Sequence, residues 1–188
     1  MSFPVLASNS IIDLMSSLEK EKLLKKYLAK DSQRLQEEKI RAAIASLKDN
    51  ENIIYLFEKE KIATDIVFSD GLSVLEFSSL IGNYDVVSYL IKNTGQSEHQ
   101  KQHSLELACA NQHIGMVEIL VRSGVDINKS SNHGKDWLCI FSSIKNSDKT
   151  LFDFLINNKA NLFVINNNGQ TPKEYLANLK RKINSINM

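Results

Sequence analysis

The chain has 188 residues, 43% hydrophobic and 24% charged, which fits one globular domain or a short array of repeats and excludes a disordered chain. With 23 basic against 22 acidic side chains the formal charge is +1, so no global field argues for nucleic acid or an anionic membrane. The amino end lacks a basic n-region and no apolar run reaches membrane-spanning length, which argues against a secretory signal or a transmembrane anchor. Cys109 and Cys139 form no CxxC pair and fit a reducing, cytoplasmic setting better than a disulfide framework. Lysine outnumbers arginine 19 to 4, a bias of AT-rich genomes such as those of intracellular bacteria.

Residues 1–35 are expected to form an N-terminal helical segment. Apolar side chains recur at helical spacing through Ile11, Leu14, Met15, Leu18, Leu23, Leu24, Tyr27 and Leu28, and Ser10 with Asp13 offers a cap. Next, "EEKIRAAIASLKDNENIIYLFEKEKIATDI" predicts a helix pair about a polar "KDNEN" turn. The following units predict the same grammar three times over: a helix, a short turn, a second helix, then a long hairpin-like loop. These three open at Leu75, Leu105 and Leu138 and a fourth unit opens at Lys173, with spacings of 30, 33 and 35 residues. In the best-formed unit "LELACANQ" is the first helix and "GMVEILVRSG" the second, closed by Gly124. The helix starts carry their own signals. Ser73 with Glu76 and Thr171 with Glu174 fit capping boxes, Pro172 suits the first helical position, and Asp136 falls on the equivalent cap with Trp137 after it.

These units resemble the ankyrin repeat, through "DGLSVLEFSSLIGN" at 70–83, "VVSYLIK" at 86–92, "SGVDIN" at 123–128 and "NNNGQTP" at 166–172. One TP pair is present, and the histidine of the TPLH motif is absent. The resemblance implies an all-α solenoid of paired antiparallel helices over residues 36–188, with units opening near 40, 75, 105, 138 and 173. The first unit is divergent, and residues 1–35 act as a helical cap.

No phosphate-binding glycine loop and no nucleophile motif is present, and catalysis is not expected. His99 and His103 are spaced i, i+4, but the stretch lacks the glutamate of a zinc helix and reads as surface histidines in a loop before a helix cap. A metal-binding enzyme using His99, His103 and Cys109 is the rival from another class. Cys109 falls on a small buried helix position, Cys139 on that of the missing histidine, and His113 on the turn between paired helices. Residues 3–35 are loosely similar to an F-box, which offers a ubiquitin-ligase adaptor as an alternative. Lys180, Arg181 and Lys182 make the tail basic, read either as a phosphate-binding patch or as a soluble helix end.

By the resemblance, function is non-catalytic recognition of another protein by a monomeric scaffold, adaptor or inhibitor, with no cofactor and no metal. An effector of an intracellular bacterium that binds a host protein is a subcase. The implied partner face comprises Ser69, Asp70, Leu72, Leu80, Ile81, Ala110, Asn111, Asn132, His133, Lys135, Trp137, Ser143, Ile144, Asn167, Asn168 and Gln170. Leu80 and Ile81 read equally as interface anchors or as contacts to the neighbouring repeat. The ring of Trp137 either covers an adjacent helix or meets a partner.

Overall fold

The computed structural model describes residues 34–45, 57, 58, 64–131 and 134–186. The chain divides into two compact units, Met1–Ala42 and Ala43–Met188. Of the first, residues 34–42 are described; they are helical and carry an exposed Arg34–Glu38 ion pair of 3.1 Å. Such a pair is worth only about 0.3–0.5 kcal/mol.

The second unit is helical throughout its described residues, apart from loops and one isolated antiparallel bridge, Val67 to Ser73. Its helices are α1 (Val74–Ile81), α2 (Tyr84–Asn93), α3 (Glu98–Ala110), α4 (Ile114–Arg122), α5 (Cys139–Lys145), α6 (Lys149–Asn157) and α7 (Pro172–Ile186), with a 3-10 turn at Lys135–Trp137. They pair as α1/α2, α3/α4 and α5/α6. Long loops, described at 64–72, at 125–131 with 134–138, and at 160–171, precede α1, α5 and α7.

Each pair forms because its apolar residues recur on one face, and α1, α2, α3 and α6 begin on side-chain caps. Ser73 closes a complete capping box with Glu76 at the start of α1, as its spacing predicts. Asn83 caps α2 and Asp148 caps α6 through side-chain oxygens. The turns within pairs place Gly82, Gln112 and Ser147 in the left-handed region, at φ 82°, 62° and 54°. At Gly82 a side chain is also excluded sterically, since an added Cβ would stand 2.9 Å from the His113 ring. The core is a continuous apolar seam through Leu75, Leu90, Leu105, Met116, Leu120, Leu151 and Leu155, all about fully buried. Burying each such side chain contributes about 1.5–3 kcal/mol, the main term holding the stack together.

Two expectations need correction. The stretch carrying His99 and His103 is not a loop: Ser97 caps it with a box to Gln100, and α3 runs from Glu98. Alpha-helix therefore replaces the long loop seen before α1, α5 and α7, and only residues 94–97 link α2 to α3. Asp136 does not cap α5. That helix begins at Cys139, after Leu138 and with no side-chain cap, because residues 135–137 turn once in a 3-10 conformation.

Candidate functional site

Neighbouring pairs are tied by polar side chains that reach across one repeat step. The Asn83 amide donates to the Ile44 carbonyl at 2.8 Å, and the Asn146 amide to the Ala110 carbonyl at 3.0 Å. His113 Nε2 lies 3.1 Å from the Leu80 carbonyl, which can only accept, so this nitrogen carries the proton. The turn position expected for His113 is thus a hydrogen-bonding one. The loops are linked as well: Asn128 donates to the Lys159 carbonyl at 3.2 Å and accepts from the Asn161 N–H at 2.7 Å.

A second set of ties sits one residue after each unit opening, at Glu76, Glu106, Cys139 and Glu174. Glu76 is buried, and it accepts from the Ser73 N–H and hydroxyl at 2.7 and 2.6 Å and from His103 Nδ1 at 2.9 Å. Burial pushes this carboxyl up, but the bonds from His103 and Ser73 outweigh it and hold the pKa below the usual glutamate value. His103 is accordingly buried and engaged, a correction to its reading as a surface histidine. Glu106, also buried, accepts from the Ser131 N–H at 2.8 Å and from the Ser131 hydroxyl, and lies 2.9 Å from the Ser130 hydroxyl. It holds down the base of the loop at 125–138. Glu174 accepts from the Thr171 N–H and hydroxyl, completing the expected cap, and these bonds lower its pKa.

Cys139 is bonded to Cys109, across 30 residues and inside the core. This overturns the expectation that the two cysteines are separate and reduced. Period alone carries the signal: Cys109 ends one unit's first helix face and Cys139 begins that of the next. The bond also removes Cys109 from the proposed metal set. Among the described residues no group of three or more His, Cys, Asp or Glu side chains could hold a metal ion.

The expected partner face falls in two rows. At the loop tips Ser69 and Asp70 are exposed, and Asp70 Oδ1 accepts from the half-buried Leu72 N–H at 3.1 Å. Lys135 and Asn167, from neighbouring loops, come together: the Asn167 side-chain oxygen accepts from the Lys135 N–H and Asp136 accepts from the Asn167 N–H, both at 3.3 Å. Asn168 is exposed and Gln170 half-buried; both backbones donate to the buried Asn166, at 3.0 and 2.9 Å. Asn132 and His133 lie outside the described residues, as do residues 3–33 of the F-box resemblance.

The second row lies at the far ends of α1, α3 and α5. Leu80, Ile81 and Ala110 are half-buried and Asn111 is exposed. Ser143 and Ile144 are buried, at 1% and 7%, and only border a shallow groove of about 260 Å³ with Phe152 and Leu176. Trp137 is 39% exposed, whereas Val74 and Pro172 at the equivalent place in their units are buried.

Residues 40–131 match a family model described as ankyrin repeats in three copies, covering α1 to α4 and the loop after them. These residues are ankyrin repeats. No curated protein matches the chain significantly. Ankyrin repeats are protein–protein interaction modules, and the helix pairs, loops and cross-repeat bonds described above are the frame that such a module needs. No described helix is long and apolar enough to cross a membrane.

Proposed function

We propose that the chain is a non-catalytic recognition module, a scaffold, adaptor or inhibitor that binds one protein partner along the loop tips and the first helices. The array would extend over residues 36–188, with units opening near 40, 75, 105, 138 and 173, and residues 1–35 would form a separate helical segment. Exposure of Trp137 carries this reading. A large aromatic side chain left 39% accessible at a loop base, where the other units bury theirs, is the residue type that anchors interfaces. Lys135 and Asn167 beside it supply a polar rim. Action on a host protein by an intracellular bacterium is the subcase that the lysine-rich composition favours.

The test is affinity capture with the whole chain from animal-cell extract, followed by binding measurements with the captured protein. Trp137→Ala and the pair Leu80→Glu/Ile81→Glu should keep the helical circular dichroism of the parent. Trp137→Ala should weaken the specific partner by at least about 2 kcal/mol, as for a hot-spot residue. Retention of every partner by both variants would show that the face is wrongly placed.

A further inference from the structure

Of the basic residues near the carboxyl end, Arg181 and Lys182 on α7 face the last loop rather than solvent alone. Arg181 and Lys182 line a groove of about 400 Å³ whose other walls are Asn168, Gln170, Tyr175, Asn178 and Leu179. An adjoining hollow of about 370 Å³ shares Gln170, Asn178 and Arg181 with it and is also lined by Glu174, which is not part of the groove itself. Helical spacing accounts for this: residues 178, 181 and 182 are one turn apart and share a side of α7.

The charge balance in the groove is one-sided. Among the described residues neither Arg181 nor Lys182 forms an ion pair. The carboxylate nearest in sequence, Glu174, is committed to the Thr171 N–H and hydroxyl, each at 2.8 Å. Arg181 is steadied by one bond from Nη1 to the Asn178 side-chain oxygen at 3.2 Å, which leaves most of its planar donor set for a ligand. Side-chain amides of Asn168 and Gln170 add neutral donors across the groove, and the ring of Tyr175 and the Leu179 side chain add apolar lining.

We propose that this groove binds an acidic segment of a protein partner, one carboxylate taken by Arg181 and a second by Lys182, with an apolar side chain between them over Tyr175 and Leu179. The inference rests on the recognition reading, since Asn168 and Gln170 belong to the loop-tip face, and it names the chemistry of what that face accepts. Arginine suits the task because its fork matches a carboxylate in two parallel bonds. Exposed charges of this kind act over a Debye length of about 8 Å in physiological salt, so recognition here is salt-sensitive.

The experiment titrates the whole chain into a short fluorescein-labelled peptide of Glu and Asp with one central Phe, read by anisotropy. A counterpart with Lys for each acid serves as control. Saturable binding of the acidic peptide alone is expected, weakened roughly tenfold by Arg181→Ala/Lys182→Ala, the equivalent of one lost charge-assisted contact. Arg181→Lys should lose roughly threefold, the bidentate share. The pair Lys173→Ala/Lys180→Ala removes the same charge from the same helix and should change affinity by no more than about twofold. Equal loss in the two double variants would reduce the effect to net charge and overturn the proposal. So would absence of saturable binding, or displacement of the peptide by an equimolar single-stranded oligonucleotide. If the peptide fails while Trp137→Ala still abolishes capture of the cellular partner, this groove is refuted and the recognition module stands. Loss of both refutes the face as a whole.

Discussion

Glu76 reads in the sequence only as half of a local capping box, a glutamate in "LSVLEF", and yet it joins two repeats. Its carboxylate takes three donors, two from its own cap and one from His103 in the next unit. Replacing it with glutamine leaves His103 facing a neutral amide and weakens a buried network, at a cost of about 1–3 kcal/mol near neutral pH. The pH dependence has a definite sign. A folded-state pKa below the unfolded value means that Glu76 stabilises the fold above the ordinary glutamate range, and that this contribution is lost as pH falls through the folded pKa. Urea denaturation of the parent and Glu76→Gln at stepped pH should therefore show a gap that closes on acidification. A gap that widens would contradict the assignment. The capping half of this site was legible, because Ser73 and Glu76 stand at box spacing. The His103 half was not: a histidine between Gln102 and Ser104 in a polar stretch reads as surface until α3 is seen to start seven residues before the apolar repeat does.

Among the elements, the helix pairs were legible because the apolar period and the turn residues agree, unit after unit. What escaped was the pairing of one unit's face with the next, which depends on register between helices rather than spacing within one. The Cys109–Cys139 bond is the clearest case, tying α3 to α5 and enclosing α4 with the loop at 125–138. Closing a loop of 30 residues stabilises a fold by about 3–4 kcal/mol through the unfolded chain. The pair Cys109→Ser/Cys139→Ser should fall by that order in urea denaturation, and the parent should lose as much after full reduction. Because both sulfurs are buried, alkylation of the native chain under mild reductant should be slow and should follow opening of the α3–α5 contact. Mass spectrometry of trapped thiols checks this. Rapid labelling under native conditions would place the cysteines on the surface. Asp136 is the opposite lesson. A good cap residue at the right period fails to cap, since the chain spends residues 135–137 on a 3-10 turn and Asp136 serves the Asn167 N–H in the next loop instead.

At the level of the whole array, stability is a sum of near-neighbour terms, so protection should follow position. Leu105, Ala108, Cys109, Met116, Val117 and Leu120 make α3 and α4 the most deeply buried pair, with neighbours on either side. Native-state hydrogen exchange should find their amides slowest, and those of α7, which keeps Leu176 and Ile183 at 41% and 57% exposure, fastest among the described helices. Uniform exchange across α1 to α7 would mean that the array opens only as one body. Architecture and family were within reach of the sequence; the partner surface was less so, because exposure is a property of the finished stack. Ser143 and Ile144 show the difference, being predicted for the face and found buried.

The short link at 94–97 gives the array an uneven comb. Where the second tooth would stand, between the loop at 64–72 and the one at 125–138, there is instead the upright end of α3 with Glu98 and His99 at its crest. Since packed helices sit about 8–10 Å apart, the teeth on either side are separated by roughly 16–20 Å, two helix steps rather than one. A partner laid across the tips must therefore bring bulk into this notch, a knuckle rather than a flat strand, or leave it filled with water. On the proposed face the omission itself would set selectivity: deleting one loop turns an evenly spaced edge, open to many extended segments, into a keyed one.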